Sequence, residues 1–364
     1  MAKKLKYGII GCGGIAENKH MPSTAGLDGI EMTAFCDIIA ARAEKANKEY
    51  GQGKGKTFTD YKQLLKEDLD AVLVLTPNNS HCEISVAALE SGKHVMCEKP
   101  MAMNYKEAKA MIDARDKSGK LLTIAYQNRY RPDSLYLKKE CEKGTLGDIY
   151  FAKATAIRRR AVPTWGVFLD GVKQGGGPLI DIGTHALDLT LFMMDNYEPN
   201  YAVGTVYHKL NKDKETGNAW GDWDTEKFTV EDSAFGFIVM KNGATIILQS
   251  SWALNTTEVR ESVTTLCGTK AGADMPKSGE LVINGVKNNS QYILTPQFGS
   301  GGVAFFGGSS EKAADVEARV FAEAIRGNGK LYVNAEEAAA VTRILEGIYI
   351  SAKTGKPHYF EGQP

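Results

Sequence analysis

The sequence predicts an α/β protein of two domains, the first built on a doubly wound parallel sheet. Three observations support this prediction. The chain has 364 residues, more than a typical single domain contains. In its first third, apolar strand-like segments alternate five or six times with helical segments. The first apolar segment, Leu5 to Ile10, leads directly into a glycine-rich turn. We place the domains at residues 1–126 and 127–364.

Composition indicates an ordinary folded protein and disfavours several classes of partner. Lys and Arg total 44, as do Asp and Glu, which disfavours a nucleic-acid-binding protein. No segment approaches the roughly twenty apolar residues of a membrane span, and the N-terminus lacks the apolar core of a signal peptide. The six cysteines form no CxxC pair and match no zinc spacing. We expect a cytoplasmic protein with reduced thiols, no metal and no membrane partner.

The elements of the first domain follow from local patterns. The predicted strands are Leu5–Ile10, Glu31–Cys36, Ala71–Leu75, His94–Cys97 and Leu121–Ala125. The predicted helices are Ala41–Tyr50, Asp60–Lys66, a helix from Ser80 to near Gly92, and a helix that opens at Asn104. Pairs three residues apart predict capping boxes for the last two helices, formed by Ser80 with Glu83 and by Asn104 with Glu107.

The glycine-rich turn has the G-x-G-x-x-A pattern of a dinucleotide-binding site. Gly11 permits the tight turn, Gly13 lets the backbone approach a pyrophosphate, and the small Ala16 lets the helix pack on the strand. The N–H groups at the helix start, where Gly14 and Ile15 lie, then bind the anion. Because a strand precedes this turn and a helix follows it, the pattern is more specific than glycines alone.

Asp37 ends the second strand, a little over twenty residues after the glycines. A carboxylate at this position bonds the adenosine ribose hydroxyls and repels a 2′-phosphate. Arg42 is the nearest basic residue, and it does not follow immediately. The sequence therefore favours NAD over NADP, with a simple strand-end or capping role for Asp37 as the alternative.

Two further strand ends carry polar residues where ligands bind in such sheets. One is the segment from Thr76 to His81, in which Asn78 is either a turn residue or a hydrogen-bonding partner of a ribose or amide. The other is Glu98-Lys99-Pro100. Lys99 either polarises a substrate oxygen or is a solvated surface lysine.

The second domain contains a candidate general base. Residues Gly175 to Met194 form a glycine-rich turn followed by a buried helix, in which Asp181 and His185 are four residues apart and share one face. A carboxylate can orient a histidine and adjust its pKa. By itself such a pair is more often structural than catalytic.

Upstream of this helix, Asp148 to Ile157 is a predicted strand, followed by the sequence RRRAVPTWGVF. This sequence is either a polar sheet edge or a substrate wall, with Trp165 stacking on a sugar and Arg158 or Arg160 bonding hydroxyls. After residue 201 the chain is predicted to form mainly strands, with helices at Ser310–Arg326 and Asn334–Ala352. The loops Asn211–Phe228, which holds two tryptophans, and Gly299–Gly308 cannot be placed.

In this order, GIIGCGGIA, CD, TPNNSH, CEKP, GGGPLIDIGTHALDL and VEDSA resemble the glucose–fructose oxidoreductase/inositol dehydrogenase/rhizopine-catabolism (Gfo/Idh/MocA) family. The resemblance covers nearly the whole chain. It implies a Rossmann domain and a C-terminal α/β domain with a large open, mostly antiparallel sheet that often mediates oligomers. We therefore expect a homo-oligomer formed through this sheet.

The resemblance also implies roles for individual residues. His185 matches the family's usual proton acceptor, and Lys99 and Asp181 match the residues that support it. The expected substrate-contacting residues are Arg158, Arg160, Trp165, Asp181 and His185. The expected NAD-contacting residues are Gly11, Gly13, Gly14, Ile15, Asp37, Arg42, Thr76, Asn78, His81, Glu98, Lys99 and Asn128.

The resulting hypothesis is an NAD-dependent dehydrogenase that oxidises a secondary hydroxyl of a sugar or glycoside, with the C3 hydroxyl of a glucoside as the best candidate. One alternative is a redox-neutral, NAD-dependent glycosidase with Tyr126 or Tyr130 as an extra base. Others are an inositol or aldose dehydrogenase and a non-enzymatic dinucleotide sensor. The sequence leaves open whether NAD leaves after each turnover or stays tightly bound and is recycled.

Overall fold

The computed structural model describes residues 4–298 and 311–360. The loop Gly299–Gly308 lies outside the described residues. Contacts divide the described chain into two compact units. The first unit contains residues 4–127 and 311–339, and the second contains residues 128–298 and 340–360. Across these described residues, every helix is too short or too polar to cross a lipid bilayer.

The helices and strands alternate in the first unit and cluster by type in the second. The strands are β1 Leu5–Ile10, β2 Ile30–Cys36, β3 Lys56–Phe58, β4 Ala71–Val74, β5 His94–Cys97, β6 Leu122–Ile124, β7 Ile149–Ile157, β8 Pro199–Tyr207, β9 Ser233–Met240, β10 Thr245–Ser251, β11 Arg260–Gly268, β12 Ala271–Asp274, β13 Val282–Lys287, β14 Ser290–Leu294 and β15 His358–Tyr359. The α-helices are α1 Met21–Ala25, α2 Ala40–Tyr50, α3 Tyr61–Leu64, α4 His81–Glu90, α5 Tyr105–Ser118, α6 Pro132–Glu142, α7 Gly171–Gln174, α8 Thr184–Met194, α9 Ala313–Ile325 and α10 Ala335–Thr354.

The first unit is built on a six-stranded parallel sheet with the order β3-β2-β1-β4-β5-β6. Strands β1 to β3 are added towards one edge of the sheet, and strands β4 to β6 are added towards the other edge. This order is that of the Rossmann fold and confirms the predicted doubly wound sheet. All four residues of β4 are buried, as the unbroken apolar run predicts for a strand covered on both faces. Ligands in such sheets bind beyond the strands' carboxyl ends, where β1, β2, β4 and β5 deliver the predicted cofactor residues.

The two predicted capping boxes have different outcomes. The box at α5 is confirmed, because the Asn104 side chain accepts from the Glu107 N–H and donates to the Glu107 carboxylate, both at 2.9 Å. The box at α4 is wrong. The Ser80 hydroxyl donates instead to Thr76 Oγ1 at 2.7 Å, and Glu83 accepts from the Tyr61 hydroxyl. Ser80 lies at the end of the short helical turn Asn78–Ser80 and has helical backbone angles instead of the extended ones of an N-cap residue, so its side chain makes no cap.

The second unit contains a nine-stranded sheet with the order β14-β13-β12-β11-β7-β10-β9-β8-β15. Only β7 and β10 pair in parallel among these strands; the other neighbours are antiparallel, as predicted. Helix α8 packs on one face, where Thr190 of the helix donates to Thr264 of β11. On the same face, Ser250 of β10 donates to the Pro178 carbonyl just before the helical segment. This face positions the predicted general-base segment.

Candidate active site

The glycine-rich turn after β1 is shaped by close approach of the backbone. Gly11 has a φ of +90°, and a side chain there would come within 2.5 Å of the Leu75 carbonyl oxygen, so only glycine fits. The Asp37 carboxylate is 7% exposed and accepts from the N–H groups of Cys12 and Ile39, both at 2.9 Å. These bonds fix the end of β2 against the turn and orient the carboxylate.

The same turn leaves open space where a pyrophosphate would lie. No described atom comes within 4 Å of the position that a Cβ would take on Gly13. The helix begins at Gly14, and both Gly14 and Ile15 are exposed. The N–H groups of a first helical turn have no partner within the helix, so they can bind an anion. The residues present therefore fit a dinucleotide.

His81 is buried between two loops of the first unit, each of which follows a strand. Its Nε2 lies 2.8 Å from the Thr76 carbonyl oxygen, after β4, and its Nδ1 lies 2.8 Å from the Pro100 carbonyl oxygen, after β5. Burial lowers its pKa more strongly than the two carbonyl contacts raise it. Because the ring is fully buried, we expect it to act on a ligand only through the loops that it holds.

Glu98 fixes the backbone beside Lys99. One carboxylate oxygen accepts from Lys19 at 3.0 Å and lies 2.7 Å from His20 Nε2, and the other accepts from the Lys99 N–H at 3.0 Å. Burial opposes ionisation of Glu98, but the Lys19 charge and the His20 hydrogen bond outweigh it, so its pKa lies well below its ordinary value. Lys19 also bridges to Glu317 of α9 at 3.0 Å.

The remaining cofactor candidates differ in exposure. Arg42 is exposed, whereas Asn78 and Asn128 are 7% and 8% exposed. Asn128 falls in the second unit, whereas the other cofactor candidates fall in the first.

In the second unit, Asp181 and His185 lie on one continuous helical segment. Residues Leu179–Gly183 form wide π-helical turns that run directly into α8, so Asp181 lies on the π turns and His185 on the α-helix. Asp181 is 7% exposed and accepts from the indole Nε1–H of Trp252 at 3.0 Å. Trp252 is fully buried directly after β10. The carboxylate four residues before the candidate base is therefore held by the residue that follows β10.

A buried carboxylate also anchors the start of this segment. Glu231 accepts from the N–H groups of Gly177 and Leu179, at 2.8 and 3.2 Å, and from the Tyr349 hydroxyl at 2.7 Å. Burial raises the pKa of Glu231 more than these hydrogen bonds lower it. The contacts satisfy backbone donors that the first helical turn leaves unpaired and fix the direction of the helix.

The residues of the candidate substrate wall contact other parts of the second unit. Trp165 lies 5.0 Å, centroid to centroid, from Trp220 of the loop that could not be placed. The Arg158 guanidinium lies 5.1 Å from the Trp220 ring centroid and is paired with Glu261. Arg160 donates to the Asn255 side chain at 3.1 Å. Each guanidinium has five N–H donors, so these contacts leave capacity for a ligand.

Sequence reasoning missed three residues that shape this region: Trp252, Trp220 and Glu231. Trp252 is 71 residues from Asp181, and no local spacing connects them. Glu231 belongs to the VEDSA motif, which carried the family resemblance but no assigned role. As for metals, the described part of the chain contains no cluster of three His, Cys, Asp or Glu side chains arranged to hold an ion.

Models of one protein family match parts of both units. The model of the oxidoreductase family with an NAD-binding Rossmann fold matches residues 5–126, and the GFO/IDH/MocA C-terminal domain matches residues 134–274. The D-glucoside 3-dehydrogenase of Escherichia coli is 33% identical over 352 residues, 96% of each chain. The glucose-6-phosphate 3-dehydrogenase of Bacillus subtilis is 31% identical over 216 residues, 58% of this chain and 59% of that one.

Among solved structures, levoglucosan dehydrogenase in complex with NADH and levoglucosan superposes with a TM-score of 0.83. The two proteins are 21% identical, and the match covers 99% of this chain and 100% of that chain. At this identity the similarity establishes a shared fold.

The raised pKa of Glu231 predicts a pH-dependent contribution to stability. A carboxyl whose pKa is raised by folding stabilises the protein most below its unfolded pKa, and this contribution is lost as the pH rises through the folded pKa. The Glu231→Gln variant cannot ionise at this position. Between pH 4 and pH 8 we therefore expect the Tm of the wild type, relative to that of Glu231→Gln, to fall as the pH rises towards the folded pKa and to become constant above it, by about 2–4 °C for each kcal/mol lost.

Thermal unfolding followed by circular dichroism across this pH range measures the difference. The exposed Glu226→Gln is the matched control, for which we expect a constant difference in Tm. A constant difference for Glu231→Gln would contradict the effect of burial on its pKa.

Proposed function

Because the chain belongs to the GFO/IDH/MocA oxidoreductase family, whose first domain is an NAD-binding Rossmann fold, we propose that it oxidises the C3 hydroxyl of a glucoside. The observation that carries this proposal is the fixed segment bearing Asp181 and His185, with its carboxylate held by Trp252. The choice of carbon is supported by the relative named D-glucoside 3-dehydrogenase, which matches 96% of each chain.

NAD is the cofactor, and its nicotinamide ring, when bound, accepts the hydride from the carbon being oxidised. Open space at Gly13 and the exposed helix start at Gly14 would receive the pyrophosphate. Asp37, already oriented by two backbone N–H groups, would accept from the ribose hydroxyls. A carboxylate there disfavours a 2′-phosphate, which supports NAD over NADP.

In the proposed reaction a ring nitrogen of His185 removes the hydroxyl proton as the C–H bond loses its hydride. Asp181 orients His185 and favours its protonated form, because an adjacent carboxylate stabilises an imidazolium. We assign to Lys99 the stabilisation of negative charge that develops on the substrate oxygen. The hydrogen bond that the Lys99 N–H donates to the Glu98 carboxylate supports this assignment, because it fixes the backbone from which the lysine extends.

Recognition of the substrate is assigned to Arg158 and Arg160, for the sugar hydroxyls, and to Trp165, for an apolar surface of the glycoside. An aromatic ring covers apolar surface, and guanidinium N–H groups bond hydroxyls. Burial opposes the charge on Arg158, but its hydrogen bonds to Glu261 raise its pKa, so the side chain stays cationic. A redox-neutral glycosidase has less support, because the phenols of Tyr126 and Tyr130 are 0% and 3% exposed.

Replacing the base tests the proposed function. We expect His185→Ala to lower kcat by about 10²–10⁴-fold, because a general base contributes that much, while the Kd for NAD changes little. The measurements are NADH absorbance with methyl β-D-glucoside and calorimetric titration with NAD. His208→Ala, which removes an exposed histidine from the same unit, is the matched control and should retain activity.

A panel of monosaccharides, inositols and glycosides, with NADH and keto-sugar products followed together, checks the substrate. Near-normal turnover of His185→Ala would contradict its role as base. Release of a reducing sugar without net NADH formation would contradict the dehydrogenase and support the redox-neutral glycosidase.

We also propose that the outer face of the nine-stranded sheet joins copies of this chain. On this face Phe237 of β9 lies between Val203 of β8 and Ile247 of β10, which are its registered partners. Phe237 is 43% exposed and Val203 is 38% exposed. Apolar side chains that are contiguous across three strands lose contact with water when a second copy covers them.

A charge on this face should prevent association. We expect the wild type to be a dimer or larger and Phe237→Arg to be a monomer, measured by light scattering coupled to size exclusion. Val172→Arg, on a 79% exposed side chain of α7, is the control and should keep the wild-type mass. A monomeric wild type would contradict the proposed interface.

A further inference from the structure

We propose that Trp165 and Trp220 form a subsite for a planar, apolar aglycone attached to the sugar. This inference rests on the proposed oxidation of a glycoside and specifies which glycosides the chain prefers. Four aromatic side chains define what we call the aromatic wall: Trp252, Phe168, Trp165 and Trp220.

The aromatic wall begins at the candidate catalytic carboxylate. Trp252 donates to Asp181, and its ring centroid lies 6.5 Å from that of Phe168. Phe168 lies 6.0 Å from Trp165, and Trp165 lies 5.0 Å from Trp220. All three ring pairs are edge-to-face, with interplanar angles of 74–80°. The wall is therefore one packed row that leads outward from Asp181.

The two outer rings of this row are far more exposed than Trp252. Trp252 is fully buried, whereas Trp165 is 52% and Trp220 is 43% exposed. Single exposed apolar residues are ordinary, but two adjacent exposed indoles form a continuous apolar patch. Because the sugar is assigned to the inner part of the wall, beside Asp181, the outer rings lie where the group attached to that sugar would lie.

The outer rings are held in place before any ligand binds. Asn218, two residues before Trp220, bonds the Val162 N–H at 2.8 Å and the Val162 carbonyl at 3.0 Å. The Thr164 hydroxyl donates to the Trp220 carbonyl at 2.7 Å. These bonds join the loop of Trp220 to the segment of Trp165. A surface that is already fixed loses less conformational entropy on binding than a flexible loop would, and this favours ligand binding.

The chemistry of the outer wall selects an apolar occupant. Beside the outer rings, the Thr164 hydroxyl already donates to the Trp220 carbonyl. A second sugar would require polar partners for its hydroxyls. An aromatic or other planar apolar group requires only ring surface, which the two indoles supply.

The test compares phenyl β-D-glucoside with methyl β-D-glucoside, which share the sugar and differ in the aglycone. We expect kcat/KM to favour the phenyl glucoside by about tenfold in the wild type, because ring contacts of this kind are worth about one factor of ten. Trp220→Leu should lose this preference while kcat/KM for the methyl glucoside changes by less than about twofold. Trp220→Phe, which keeps a ring, should retain most of the preference.

Trp165→Leu is the second variant, and Tyr150→Leu, at a 59% exposed ring of β7, is the control that should leave the ratio unchanged. An equal loss of kcat/KM for both glucosides would mean that the rings contact only the shared sugar, which would overturn the subsite. An unchanged ratio in both tryptophan variants would overturn it as well.

Calorimetric binding of both glucosides to the NAD-loaded protein separates this inference from the proposed function. Binding with a Trp220-dependent preference but without NADH formation would support the subsite and contradict the dehydrogenase. NADH formation at the same phenyl-to-methyl ratio in the wild type and Trp220→Leu would support the dehydrogenase and overturn the subsite.

Discussion

The hydrogen bond from the Trp252 indole to the Asp181 carboxylate joins three parts of the second unit: the helical segment of His185, the carboxyl end of β10 and the aromatic wall. A buried carboxylate without a partner is unfavourable, so this bond stabilises Asp181 where it is only 7% exposed. Because Trp252 is packed and fixed, the carboxylate has one position. In the proposed mechanism this carboxylate orients His185.

The helical segment is held at its beginning as well. Glu231 accepts hydrogen bonds from the N–H groups of Gly177 and Leu179 and from the Tyr349 hydroxyl of α10. In the first unit, Glu98 plays a comparable part for Lys99, with Lys19 and His20 compensating the buried charge. In both units, a buried carboxylate accepts hydrogen bonds from backbone N–H groups close in sequence to a candidate catalytic residue. The backbone that carries each candidate residue is therefore held in place.

The sequence predicted those features that depend on neighbours along the chain. The apolar run at β4 predicted a strand buried on both faces, and Asn104 with Glu107 predicted the start of α5. It failed at Ser80 because this residue belongs to a short helical turn before α4 and lacks the extended backbone of an N-cap residue. Contacts between distant segments, such as Trp252 with Asp181, leave no periodicity or spacing that a sequence pattern could reveal.

The position of hydride removal is the central claim of this account. The most direct measurement is turnover of methyl β-D-glucoside deuterated only at C3, with the isotope content of the NADH and of the sugar product determined by mass spectrometry. The account predicts that the NADH carries one deuterium and that the keto-sugar carries none. Unlabelled NADH, with deuterium retained in the oxidised sugar, would contradict it.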